Sequence, residues 1–237
     1  MVKKRFKQLM SFLKISNVLT EDPDNKLSKA RFLMEFIRRK CLKLFEPFQN
    51  VCIDERMVRN KGRYSFTQYI CEKPTKWGMK LWVLEDSSTG YTCDFDVYLG
   101  KNTASSGFGR SYDVVMNLVK SIVNQGYHLF FDNFYTSVQL LRDLIGKGIR
   151  ACGTIIANRK GFLAQLKNVK EFEKQQQSNR GDIRWVREGD ILSMQWRDKK
   201  VVSFLSSMHH ANRFGFAHRR SKVNGQYRTL MLGNQNL

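Results

Sequence analysis

Two carboxylates stand where a carboxylate is costly to place. Asp54 follows Val51-Cys52-Ile53 and Asp132 follows Leu129-Phe130-Phe131, each closing a short apolar run that reads as a strand. If those strands are neighbours in one sheet, both side chains point to one spot at the strand ends. Two or three carboxylates gathered there can hold a pair of Mg²⁺ ions about 4 Å apart, which activate a water and stabilise the leaving oxygen in phosphodiester cleavage. A plainer use of the same residues is an ion pair from Asp54 to Arg56 or Arg63, with Asp132 capping the helix that follows. From spacing alone the plainer use is the commoner outcome.

Cations surround these positions. Arg63, Lys73, Lys76 and Lys80 lie close to Asp54 in sequence, where they can hold a phosphate backbone or remain solvated loop charge. Trp77, Tyr135, Trp185 and Trp196 offer faces for base stacking, although alternation in their strands favours core packing or hairpin pairing. His209, His210 and His218 have no convincing ligand company and read as structural. The five cysteines include no CxxC pair, and no histidine completes a zinc site.

The elements that must position these groups follow from periodicity. Residues 2–15 have Phe6, Leu9, Met10 and Leu13 at helical spacing. After the break at 20–25, Asp24 is placed to cap a second helix with Leu27, Ala30, Met34, Ile37, Cys41 and Leu44 on one face. From Asn50 the period changes: 51–57, 79–84 and 91–98 read as strands. An amphipathic helix around Val114 to Ile122, a strand 128–131, a helix around Leu141 and a strand 149–157 follow. An antiparallel meander followed by strand–helix alternation predicts an α/β fold with a ribonuclease-H-like mixed sheet. Residues 160–180 read as a linker or mobile helix. Residues 183–187, 191–197 and 201–205 read as a small inserted antiparallel sheet, and a basic tail without acids follows Asp198.

Composition narrows the partner. Forty-one Lys and Arg against 21 Asp and Glu leave a net charge of +20 over 237 residues. A surface so basic gains affinity for any nucleic-acid backbone by releasing condensed counterions. No apolar run approaches the length of a membrane span, no signal-peptide core is present, and the chain reads as soluble, reduced and intracellular.

Several segments in order add a resemblance. Val51-Cys52-Ile53-Asp54-Glu55-Arg56-Met57 with Lys61-Gly62-Arg63 resembles the block that carries the first catalytic Asp of piggyBac-type transposases. Lys73-Pro74-Thr75-Lys76-Trp77-Gly78-Met79-Lys80 is similar to that family's KPxKxGxK segment, and Gly90-Tyr91 and Tyr98-Leu99-Gly100-Lys101 continue the likeness. Phe131-Asp132-Asn133-Phe134-Tyr135-Thr136-Ser137 resembles its DNxYTS block. Gly153-Thr154, Asn158-Arg159-Lys160-Gly161 and Leu205-Ser206-Ser207-Met208-His209 are weaker matches, in the right order.

The resemblance implies a DDE/DDD transposase with a ribonuclease-H-like core and Asp54 and Asp132 as catalytic ligands of Mg²⁺ or Mn²⁺. It also implies double-stranded DNA as partner (transposon ends and a TTAA target), a possible homodimer, no membrane and a nuclear location. It implies a helical DNA-binding or dimerisation part over 1–49, an incomplete catalytic core over 50–160, an insertion over 161–210 and a basic tail over 211–237. The family's third Asp follows a GGVD-like block that has no counterpart here. The expectation is therefore a DNA-binding chain with an incomplete cleavage site. Two alternatives stay open: an active enzyme using Asp198, Glu188 or another chain's acid, and a domesticated, non-catalytic chromatin or interaction protein.

Overall fold

The computed structural model describes residues 2–13, 16, 21–22, 24–60, 64–100, 106–174, 180–211, 216–223 and 226–233. Arg63, one of the expected phosphate contacts, lies outside them, and so do Thr20 and Pro23 of the expected break between the first two helices.

Helix α1 (Lys3–Phe12) buries none of its residues, and α2 (Arg31–Leu44) follows. Asp24 does not cap α2, which begins seven residues later behind Ala30 without any side-chain cap. The intervening chain closes on itself instead: the Asn25 carboxamide accepts from the Leu27 amide at 3.1 Å, and the amides of Ser28 and Ala30 return to the carbonyls of Asn25 and Leu27. Arg38 grips the Asp94 carboxylate through two nitrogens, at 2.6 and 2.9 Å, and so ties α2 to the sheet.

The sheet is built from β1 (Asn50–Arg59), β2 (Gln68–Tyr69), β3 (Trp77–Asp86), β4 (Thr92–Val97), β5 (His128–Phe131) and β6 (Arg150–Thr154). Strand β1 pairs antiparallel with β3 and parallel with β5, and β5 pairs parallel with β6. Strand β3 also carries β2 and β4. Helix α3 (Arg110–Leu118) runs into a tight turn over Val119–Ile122, and α4 (Val138–Gly146) makes the crossover between β5 and β6. Their apolar sides, with Val115, Leu118, Leu140 and Leu141 fully buried, pack with Val51, Ile53, Leu84 and Leu129 in one core. This is the ribonuclease-H-like α/β sheet expected from the element order.

After β6, the short helices α5 (Ala164–Lys167) and α6 (Val169–Lys174) lead to β7 (Ile183–Glu188), β8 (Ile191–Arg197) and β9 (Val201–Ser206). These three form the expected antiparallel meander, and β9 pairs with β6, so the insertion prolongs the core sheet to nine strands. Gln195, fully buried, joins them at 2.8 Å to both Ser203 Oγ and the Leu166 carbonyl. The basic tail contains a two-stranded sheet, β10 (Phe216–Val223) and β11 (Gln226–Gly233).

Candidate metal centre and nucleic-acid interface

Strand register brings the two aspartates to one edge. The parallel pairing of β1 with β5 ends at Ile53↔Phe131, and the next residue on each strand is Asp54 and Asp132. Ile53 and Phe131 are buried in the core. Alternation therefore turns both aspartates to the other face, where both are exposed. Neither plainer role is realised among the described residues. Arg56 pairs with Glu85 and donates to Thr92 Oγ1 at 2.9 Å rather than pairing with Asp54. Helix α4 is capped by Ser137, whose hydroxyl accepts from the Leu140 amide at 3.2 Å, so Asp132 does not cap it. Asp132 Oδ1 instead accepts from the Phe134 amide at 2.9 Å, and Asp54 Oδ1 accepts from the Glu55 amide at 2.7 Å. Among the described residues, no Lys or Arg forms an ion pair with either carboxylate.

Behind this pair, on the covered face, stands Glu55. Burial pushes its carboxyl above the usual range; Lys80, 3.6 Å away, opposes the shift, and Asp54 reinforces it. The Tyr135 hydroxyl, wholly buried, donates to Glu55 at 3.4 Å. Burial, and then the charges of Glu55, Asp132 and Asp54, raise the Tyr135 phenol well above its ordinary value. Among the described residues, no group of three side chains is arranged to hold a metal ion. Glu188 and Asp198, the substitutes considered for a third ligand, are paired with Arg142 at 3.7 Å and Arg180 at 2.5 Å.

The expected phosphate contacts separate. Lys76 is exposed beside Trp77, which packs at a tilt against Tyr69 with ring centroids 4.9 Å apart. Lys73 donates to the Glu55 carbonyl at 3.1 Å and, with Asp54, lines a cavity of about 260 Å³. Lys80 is mostly buried, ion-paired with Glu55 and set over the Phe134 and Trp82 rings at 5.3 and 6.0 Å. Of the aromatic rings, Tyr135 and Trp196 belong to the core, whereas Trp77 and Trp185 are exposed.

Sequence alone does not mark Arg159 as a residue of this site. Its guanidinium donates to the carbonyls of Asn133 and Phe134, the latter at 2.9 Å, and so braces the loop that carries Asp132. Nor does it mark Glu55. Adjacency to Asp54 is the only signal there, because the Lys80 and Tyr135 partners come from other elements.

The chain is 31% identical over 209 residues to the human PiggyBac transposable element-derived protein 3, covering 86% of this chain and 34% of that protein. It is 29% identical over 212 residues to the human PiggyBac transposable element-derived protein 2, covering 86% and 35%. The chain thus spans about a third of the length of these curated relatives. A cryo-EM structure of the piggyBac transposase synaptic complex with hairpin DNA superposes with a TM-score of 0.79 at 24% identity, over 90% of this chain and 45% of that one. The family model DDE_Tnp_1_7, described as Transposase IS4, matches residues 1–231, and the chain belongs to that DDE transposase family.

Proposed function

We propose that this chain is a piggyBac-like, transposase-derived DNA-binding protein, acting in the nucleus, whose Asp54 and Asp132 are divalent-metal ligands. The observation that carries the reading is the continuation of the β1–β5 register, which sets the two aspartates side by side on one exposed face in a chain of net charge +20. Hard carboxylate oxygens with no ion-paired Lys or Arg among the described residues suit Mg²⁺ or Mn²⁺. When bound, such an ion supplies the charge that activates water and stabilises a leaving phosphodiester oxygen.

The chain's own residues set the frame. Arg159 and the Phe134 amide hold the Asp132 loop. Lys73 and Lys80 hold β1 at Glu55, and Lys76 presents charge to a phosphate backbone. Completion of a two-metal site requires a third ligand from outside the described residues, so we assign DNA binding to these residues and leave cleavage to a completed site. The name of the superposed complex, with its hairpin DNA, supports duplex DNA as the partner.

The test is Mn²⁺ titration and duplex binding of the chain and of Asp54→Ala. Asp54→Ala should lose Mn²⁺ binding by at least about tenfold while keeping salt-dependent DNA affinity. Equal Mn²⁺ affinity in both proteins would remove Asp54 from the metal site. Absence of duplex binding at low salt would overturn the DNA-binding reading.

A further inference from the structure

At the opposite end of the parallel strands lies a second basic hollow. His128 and Arg150 are the first residues of β5 and β6 and are paired in register, whereas Asp132 follows the far end of β5, about 13 Å away along the strand. Arg187 on β7 and the segment Ser207 to His210 after β9 close around the same spot, leaving a cavity of about 280 Å³.

The segment is held by the arginines themselves. Arg150 Nη1 donates to the Ser207 carbonyl at 3.2 Å and Arg187 Nη2 to the His209 carbonyl at 2.7 Å. Each guanidinium spends one donor on this brace and retains others, and neither has a carboxylate within ion-pair distance among the described residues. The His209 ring is fixed as well. Ser206 Oγ accepts from the amides of Met208 and His209, both at 3.1 Å, so its own hydrogen is free to donate to His209 Nδ1 at 2.8 Å. The neutral ring then carries its proton on Nε2, as a donor. Burial, and then the proximity of His128 and His210, hold this imidazole below its ordinary pKa, so an anion beside it would favour its protonation. Among the described residues, Asp190 is the one acidic group lining the hollow, against Arg150, Arg187, His128, His209 and His210.

We infer that Arg150, Arg187 and His209 form a phosphate-binding site that takes a backbone phosphodiester of duplex DNA, separate from the metal edge. This rests on the DNA-binding reading above. Two guanidiniums without an ion-paired acid among the described residues, pre-organised on one backbone segment, are suited to a phosphate's oxygens. A phosphate beside the His209 ring favours its protonated form, so binding here strengthens as pH falls from about 8 to about 6, whereas binding by lysines alone does not change over that range.

The experiment measures binding of a fluorescein-labelled DNA duplex by anisotropy against salt, at both pH values, for the chain, for Arg150→Gln/Arg187→Gln and for His210→Glu. His210→Glu places an anion at the hollow without removing either arginine brace, and so decides the matter if the double variant melts early. Both variants should bind more weakly, with the salt slope reduced by about one for each phosphate no longer neutralised, and the rise in affinity toward low pH should disappear. A parent chain that binds the duplex alongside a folded variant of unchanged slope and pH dependence overturns this site and leaves the proposed function standing. A parent chain that shows no salt-dependent binding overturns both. A third arm follows the His209 ring signals by NMR: if inorganic phosphate shifts them and the duplex does not, the hollow is a small-anion site and the DNA assignment fails.

Discussion

Asp54 within β1, Asp86 at the end of β3 and Asp132 just after β5 are the same residue type, and their surroundings give them different work. Asp86 is fully buried and accepts from the amides of Phe48, Ser88 and Thr89 and from the Thr89 hydroxyl, all between 2.8 and 3.0 Å. Burial alone would raise its carboxyl, but these donors outweigh it and hold the group below the usual range. A depressed carboxyl contributes stability above its unfolded value of about 4, and that contribution is lost as pH falls through the folded value. Asp86→Asn should therefore lower the melting temperature by roughly 5 °C at neutral pH, and the gap should close in acid. A gap that persists unchanged below about pH 3 would show that the carboxylate's charge is not what the turn uses. Among the described residues, Asp54 and Asp132 each accept one backbone amide, from Glu55 and Phe134, and have no such set of donors.

At the scale of elements, two glycines explain how closely the strands approach the site. A Cβ on Gly78 would overlap the Val58 carbonyl, so β3 can lie against β1 in this register only with glycine there. A Cβ on Gly153 would overlap Thr136 Oγ1 and come within 2.6 Å of the Phe131 carbonyl, directly beneath the Asp132 loop. Gly153→Ala should cost about 1–3 kcal/mol, read by urea unfolding, and should weaken Mn²⁺ binding through Asp132 even where the variant remains folded. Unchanged metal affinity in the folded variant would separate β6 from the positioning of Asp132. These close approaches account physically for the glycine in the KPTKWGMK segment and for the Gly153-Thr154 match.

Across the whole molecule, the net charge of +20 predicts how DNA affinity responds to its medium. If about six phosphates are neutralised, affinity should fall about a thousandfold between about 50 and about 200 mM salt, largely whatever the base sequence. A slope near zero, measured by anisotropy, would mean that the basic surface does not face the duplex. The nine-stranded sheet matters here because it makes one continuous body of the core and the β7–β9 meander. The Asp54–Asp132 edge and the Arg150–Arg187 hollow thereby belong to one sheet.

Much of this was legible from the amino acids. Period-two and period-3.6 patterns located β1, β3, β5, α4 and the β7–β9 meander, because local patterning reports which face of an element is covered, whereas Asp54 and Asp132 were singled out as metal ligands by the family resemblance of their segments rather than by pattern. Contacts between distant segments were not legible. Only the folded chain showed that Lys80 pairs with Glu55, that Arg159 braces the loop after Asp132, that Asn25 rather than Asp24 organises the turn before α2, and that His209 and His210 lie beside two arginines. Each depends on register and on which strand adds to which edge, and periodicity within one segment carries no information about either.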